Sequence, residues 1–553
     1  MLDMQSLLKD YQRTKEQNAA LLQQITVLKE DKTQLTEALT KSKTHNAELT
    51  TKMTNMLEQI KLMNQRKFAS LSEANLLQQN LFDEVGVADS GEDESETQQQ
   101  TITYTRTTKN KPKRQALPEH LERVEIVIDI DEADKICDCC GKERGEMRSE
   151  ITERLILIPA KLQVERTIRK QYVCNRKQCA NEKILIEPLP PHILPKSNAS
   201  PSVMADILTK KYVEHIPLYR QEKAWARLDI KMPRNTMCNW IMELAAECSI
   251  LYQLLMKHAL KHDIIAVDET TAQVLGEPDR RNDQKSYIWA YRGGPPDAPV
   301  VYFEYQETRD AEHPIRFLKN YHGFVMSDAY TGYDWIDAAE GYRIVHVYCM
   351  SHARRPFAEL VKATKTEGHA HTAIGYFQAL YAIEKYAREN KLTPEERFYL
   401  RLTKARPILD ALFKFLKTTL PKAPKGSKLG KAINYMLTRE EGFYAYLTDG
   451  RLEIDNNLLE NEIRPFAIGR KNWLFLGSPR GAEAACMFYS FIQTAKANGL
   501  DPAIYLTNML EKLPYCRTEA DFEKLLPWHL KAELQADKNQ TLATRQETLA
   551  KAA

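Results

Sequence analysis

Residues Asp263–Leu275 read DIIAVDETTAQVL. Apolar and β-branched residues lead up to the carboxylate of Asp268, so the run predicts a strand that ends in an acid. The neighbouring Glu269 is expected on the opposite face, because side chains alternate along a strand. A second run, HGFVMSDAYTGY (His322–Tyr333), delivers Asp328 in the same way, and its Gly and Tyr residues suit a turn. Three further β-like runs surround these two: SYIWAYR from Ser286, PVVYFEYQ from Pro299 and YRIVHVYC from Tyr342. Helical patterns occupy roughly residues 203–260 and 353–448. An α/β unit interrupted by helices is the simplest account.

Carboxylates at strand ends on one sheet are well placed to hold Mg²⁺, which favours a few carboxylates together with water and a phosphate. Two such ions about 4 Å apart can activate an attacking oxygen and stabilise a leaving one. That arrangement needs a third acid. EIDNNLLENEIRPFAIGRKNW (Glu453–Trp473) offers Glu453, Asp455, Glu460 and Glu462. It predicts a helix beginning near Asp455 or Asn456. Asn456, Asn457, Glu460 and Arg464 then share one face, and Leu459, Ile463 and Phe466 form the adjacent apolar stripe. Glu462 falls about 200° round from Glu460. Glu460 is therefore the better third ligand, with Arg464 placed to meet a phosphate.

The chain has 553 residues and a net charge of +3, so three or four folded units are expected and whole-chain charge indicates no partner. No apolar run reaches the ~18 residues that span a bilayer, and the N-terminus lacks the basic and apolar regions of a secretory signal. A cytoplasmic protein is expected, and its ten cysteines are then poor candidates for a disulfide set.

Residues 1–64 carry a heptad pattern. With Met4 at position a, Tyr11, Ile25, Leu39 and Met53 share that position, and Leu7, Leu21, Leu28, Leu35, Leu49 and Met56 occupy d. This predicts a coiled coil within residues 1–82 and a homodimer; the alternative is a long helix that folds back on its own chain. Residues 83–120 combine an acidic and a basic block and read as a flexible linker. In 121–190, Cys137-x2-Cys140 and Cys174-x4-Cys179 are spaced to hold one structural Zn²⁺, with Cys139 as a competing sulfur. Within 191–260, LYRQEKAWARLDIKMPRNTMCNWIMELA (Leu218–Ala245) resembles a helix-turn-helix. Asn235 could cap its second helix, and Arg234, Asn235 and Asn239 would face outward toward DNA. The alternative is an ordinary helical pair with Trp225 and Trp240 as core. Arg354 and Arg355 are candidates for DNA phosphate, as are Arg470 and Lys471, whereas Cys349 and His352 offer too few ligands for a metal. The four lysines of PKAPKGSKLGKA (Pro421–Ala432) either follow a DNA backbone or are solvated.

Taken in order, VDET (from Val267), MSDAYTGY (from Met326), VYCMSHARRPF (from Val347) and IDNNLLENEIRPFAIGRKNWLFLGS (from Ile454) resemble the motifs of insertion sequence sixty-six family transposases. CDCCG (from Cys137) and QRKFASLSE (from Gln65) are similar to that family too, so the resemblance covers nearly the whole chain. It implies a multidomain α+β protein with a ribonuclease H-like catalytic domain in 261–352 and 451–500. It also implies a helical insertion at 353–450, with a helical tail beyond 500. Asp268, Asp328 and Glu460 would be its Asp-Asp-Glu triad, with two Mg²⁺ ions for which Mn²⁺ can substitute. The implied activity is cleavage of element ends and transfer of the 3′-OH to target DNA. Small accessory proteins of the same element would be further partners, and the protein would be bacterial and nucleoid-associated when bound to DNA. Two other readings stay open: a zinc-containing DNA-binding regulator without catalysis, and a nuclease without strand transfer.

Overall fold

In the computed structural model, which describes residues 4–68, 162–172, 185–338, 344–363, 368–531 and 533–534, the chain divides into two units. The unit formed by 73–190 and 534–553 contains a two-stranded antiparallel ladder, β1 (Gln171–Tyr172) and β2 (Leu185–Ile186), with Arg169 Nη1 donating to the Glu187 carbonyl at 3.1 Å. The zinc-type residues Cys137, Cys140, Cys174 and Cys179 lie outside the described residues.

The unit formed by 1–72 and 191–533 begins with α1 (Met4–Phe68), a single helix about 100 Å long. The seam positions Tyr11, Leu21, Ile25, Leu28, Leu35, Leu39, Leu49, Met53 and Met56 are all exposed. Between residues 191 and 262 the chain forms α2 (Pro201–Tyr212), α3 (Leu218–Ala226), α4 (Arg234–Glu247) and α5 (Ser249–Lys261), which lead into the main sheet. Trp225 on α3 and Trp240 on α4 are buried, and Asp229 makes the turn between them at φ +58°. The expected capping role of Asn235 is corrected. The residue before the helix is Pro233, whose extended backbone sets the entry, and Arg234 N donates to Glu222 Oε1 of α3 at 3.1 Å.

The sheet contains β3 (Ile264–Gln273), β4 (Lys285–Gly293), β5 (Val300–Gln306), β6 (Gly323–Ser327) and β7 (Ile344–Tyr348) in the order β5-β4-β3-β6-β7. The first three strands form an antiparallel meander; β6 and β7 add in parallel beside β3. The short helices α6 (Glu312–Phe317) and α7 (Asp334–Ala338) lie in the connections. Asp268 is not at the end of its strand, as the sequence suggested, but in the middle of β3. Parallel pairing with β6 stops at Ala266↔Met326, whereas antiparallel pairing with β4 continues to Gln273↔Lys285. Asp268 therefore stands where the parallel ladder ends and the hairpin runs on.

After β7 come α8 (Met350–Ala363), α9 (His369–Glu389), α10 (Pro394–Leu400), α11 (Arg406–Thr419), α12 (Lys428–Leu437) and α13 (Glu440–Ala445). Their apolar faces bury Phe357, Phe377, Leu409, Phe413, Ile433 and Met436 in one core that also includes Val347 and Tyr348 of β7. The chain then returns to the sheet through α14 (Asn457–Trp473), α15 (Pro479–Ala497), α16 (Pro502–Lys512) and α17 (Glu519–Glu523). Buried α15 covers the free edge of β5: Val301 N donates to Thr494 Oγ1 at 3.0 Å and Phe303 N to Ser490 Oγ at 2.8 Å. Satisfying those amides protects an edge that could otherwise pair with another chain. No described helix is long and apolar enough to cross a membrane.

Candidate active site

Three elements converge at the carboxyl ends of the parallel strands, where open α/β sheets place their ligand crevices. The register Ile264↔Phe324 to Ala266↔Met326 is constant, so Asp268 and Asp328 each follow two residues beyond the last registered pair. They stand side by side at one level, Asp268 within β3 and Asp328 just after β6. Asp268 Oδ1 accepts Glu269 N at 2.8 Å, and Asp328 Oδ1 accepts Tyr330 N at 2.9 Å. Both carboxylates are thereby oriented by their own backbone.

Glu460 comes from the first turn of α14 and is 6 % exposed. The helix start is pinned by Asn456, itself buried. Its Nδ2 donates to the Val267 carbonyl at 3.1 Å, beside Asp268, and its backbone N donates to Cys349 Sγ at 3.2 Å. Its carbonyl accepts Glu460 N at 3.0 Å. One side chain thus fixes the third acid relative to the first. The partly positive N-terminus of the helix favours a carboxylate there. Leu459, Ile463 and Phe466 are buried as an apolar stripe. Glu462 faces elsewhere, with Arg292 and Lys496 as its charged neighbours.

The site is electrostatically crowded. Burial pushes the Asp268 carboxyl well above the usual range, and the negative charges of Glu269, Asp328 and Glu460 push it further. Clustered carboxylates with this mutual repulsion are the donor chemistry that hard divalent cations bind. Glu269, expected to face away from the site, joins the cluster. Its side chain is 2 % exposed, burial and Asp328 raise its pKa, and Arg309 and Tyr333 oppose that rise. Arg309 Nε donates to Glu269 Oε1 at 2.6 Å and Tyr333 Oη to Glu269 Oε2 at 2.8 Å.

His352 Nδ1 lies 3.6 Å from Glu460 Oε1, and Cys349 Sγ, a His352 nitrogen and a Glu460 oxygen fall within 4.8 Å of one another. Burial pushes the Cys349 thiol far up, and its sulfur accepts the Asn456 amide. Cys349 is fully buried at this junction, between the end of β7 and the start of α14.

The DNA-contact candidates separate by position. Arg234, Asn235 and Asn239 are exposed on α4, and Lys471 is exposed at the end of α14. Arg354, Arg355 and Arg464 are half-buried, with Arg464 close enough to Glu460 for the carboxylate to offset part of its burial. Arg470 points inward: its Nη1 donates to Thr271 Oγ1 at 2.9 Å and ties α14 to β3. The sequence reading missed Arg309 and the roles of Tyr330, Tyr333 and Asn456. The two tyrosines lie within the motif that contains Asp328, but Arg309, in ETRDAEHP, carries no local signal.

Four stretches match family models. Residues 196–484 match "Transposase IS66 family" and 490–528 match "IS66 C-terminal element". Residues 55–126 match "Transposase C of IS166 homeodomain" and 134–176 match "zinc-finger binding domain of transposase IS66". The last match contains Cys137, Cys140 and Cys174 and supports a bound zinc ion; Cys179 lies just beyond it. Two relatives from Sinorhizobium fredii (strain NBRC 101917 / NGR234) are similar over most of their length. The uncharacterized protein y4hP is 30% identical over 444 residues, 77% of this chain and 78% of that protein. The uncharacterized protein y4jD is 30% identical over 429 residues, 75% and 82% respectively.

Proposed function

This chain belongs to the IS66 transposase family, and on that premise we propose that it cuts DNA at the ends of its element and joins the freed 3′-OH to target DNA. The observation that carries the reading is the convergence of Asp268, Asp328 and Glu460 from β3, the end of β6 and the first turn of α14. A sheet ordered β5-β4-β3-β6-β7, with its first three strands antiparallel, is the topology that a ribonuclease H-like domain requires. The α8–α13 helices between the second and third acids fit an insertion into that domain.

Asp268, Asp328 and Glu460 would hold two Mg²⁺ ions, or Mn²⁺ in their place, whose bound chemistry is activation of an attacking oxygen and stabilisation of a leaving one. Asn456 keeps Glu460 in place relative to Asp268. Glu269, paired along one edge with Arg309, adds its charge to the cluster only in part. Arg464 and the half-buried Arg354 and Arg355 supply positive charge around the acids for DNA phosphate. Arg234, Asn235 and Asn239 would meet DNA from the exposed face of α4, and Lys471 from the end of α14. The zinc module at Cys137, Cys140, Cys174 and Cys179 and the α3–α4 pair would bind the element ends. The exposed heptad seam of α1 would join two chains as a parallel homodimer. Small proteins of the same element would be accessory partners.

Cleavage of labelled element-end DNA with Mg²⁺ tests the reading. Glu460→Gln should abolish the products, and equal cleavage by the variant would remove Glu460 from the mechanism. Strand-transfer products in a plasmid assay distinguish a transposase from a nuclease. Sedimentation of the full-length chain tests the dimer.

A further inference from the structure

Arg309 occupies the connection between β5 and α6, and its guanidinium is held on two sides. One edge meets Glu269, through Nε at 2.6 Å and through Nη2. One face lies 3.7 Å from the centroid of the Tyr330 ring. The Tyr330 hydroxyl donates back to the Arg309 carbonyl, and the Tyr330 amide holds Asp328 Oδ1. The chain continues from Glu269 directly to Asp268. The two residues that grip the guanidinium are thus one and two positions from the first two acids.

The remaining edge is open. The Arg309 side chain is 38 % exposed, and among the described residues its Nη1 has no protein partner. An arginine whose task is to neutralise a buried glutamate looks different in this same chain. Arg401 is fully buried, pairs with Glu384 and directs its other donors to three backbone carbonyls. Arg309 is half in the protein and half exposed, and it lies close enough to Asp328 for that carboxylate to act on its charge.

We infer that Arg309 is a phosphate-binding residue of this site, contacting a phosphodiester of the DNA strand next to the scissile bond. The inference rests on the DNA-cleavage reading above. A planar guanidinium matches phosphate with two parallel donors, and stacking on Tyr330 leaves its outer edge free to do so. Because Glu269 and Tyr330 already fix the group, contact with DNA immobilises little further. A lysine at this position has neither the fork for Glu269 nor the plane for Tyr330, so the charge alone does not suffice.

The test is cleavage of a labelled duplex carrying the DNA end that flanks this coding sequence. Single uncharged methylphosphonates are placed at each phosphate around the cut. Arg309→Ala should lower cleavage of the unmodified duplex about 30-fold, with Arg309→Lys recovering only part of that loss. One methylphosphonate position should cost the wild-type protein a similar factor and cost Arg309→Ala nothing more, because the same contact has already been removed. Losses that multiply at every position overturn the inference. Absence of cleavage by the wild-type protein overturns the cleavage reading instead, and this inference with it. If Arg309→Ala melts well below the wild type, the scan with Arg309→Lys decides by the same criterion.

Discussion

Two buried carboxylate clusters in this molecule are opposites in charge balance. In the helical region, Glu384 of α9 is answered in full. Arg401 Nε and Nη2 reach its two oxygens at 2.8 and 2.9 Å, and Arg397 Nε adds a third contact at 2.9 Å. Arg397 also binds Glu453 at 3.0 and 3.1 Å, and Arg401 caps the carbonyls of Tyr446, Asp449 and Leu452. Although burial acts the other way, these partners hold Glu384 below its usual pKa. At the sheet, Asp268 is pushed far above its usual value by burial and by three neighbouring acids. A compensated cluster fixes the path of the chain into α14. An undercompensated one stores repulsion that a bound cation would relieve. The contrast separates structural acids from the proposed catalytic ones more sharply than burial alone.

The largest effect should come from the undercompensated side. Glu460→Gln keeps the shape of the side chain and removes a charge that the proposed chemistry needs. Cleavage should fall by roughly 10³-fold, comparable to the loss of a principal charge-stabilising group elsewhere. Folding should be unaffected, as measured by thermal denaturation. A variant that cleaves normally would erase the distinction between the clusters.

Arg401→Ala probes the compensated side. It leaves Glu384 buried with half its partners and uncaps three carbonyls, which should cost about 3–5 kcal/mol. The readout is the denaturation midpoint of the full-length chain, with cleavage measured at a temperature where the variant stays folded. The pH dependence has a definite sign. Glu384 is more acidic folded than unfolded, so its contribution is complete above the ordinary glutamate value of 4.5 and is lost as pH falls below it. The stability gap between wild type and Arg401→Ala should therefore narrow under acid to the part that comes from the uncapped carbonyls. A constant gap down to pH 2 would show that the ion pair is not the source.

Asp268→Asn should move stability the other way. Removing one charge from four crowded acids relieves repulsion, and without divalent cations the variant should be about 1–2 kcal/mol more stable than wild type. Cleavage should still be lost. Added Mg²⁺ should stabilise the wild type and not the variant, because only the wild type retains the full donor set. A destabilised Asp268→Asn protein would mean that the site is already neutralised by groups such as Arg309.

The extent to which these clusters were legible in the sequence follows from how local their signals are. Each of the five β-like runs between Asp263 and Cys349 corresponds to a strand from β3 to β7, because alternating and β-branched residues report the pleat directly. Asp268 and Asp328 could be found as acids placed by such runs, and Glu460 by helical phase. The length of β3 was not legible, since residues beyond Asp268 are held in the strand by pairing with β4. Arg309 meets Glu269 across forty positions and Arg401 meets Leu452 across fifty-one. Neither arginine differs from a surface arginine until the fold brings its partner to it. Arg401 also lies in a π-helical turn, Arg401–Ala405, that joins α10 to α11, a local irregularity with no simple sequence signature.

The smallest expected effect concerns Glu462, two residues from Glu460 and chemically identical to it. Burial raises its pKa, but Arg292 and Lys496 oppose the shift, and no other acid contributes to it. It resembles the compensated cluster in kind but is half-buried and forms no ion pair among the described residues, so removing its charge should change little. Glu462→Gln should change stability by no more than about 0.5 kcal/mol and leave cleavage at the wild-type rate. Loss of cleavage here, with Glu460→Gln still active, would mean that the helix presents its other face to DNA. Asn456 argues against that outcome, because the same helix cannot rotate by half a turn while its first residues stay bonded to Val267 and Cys349.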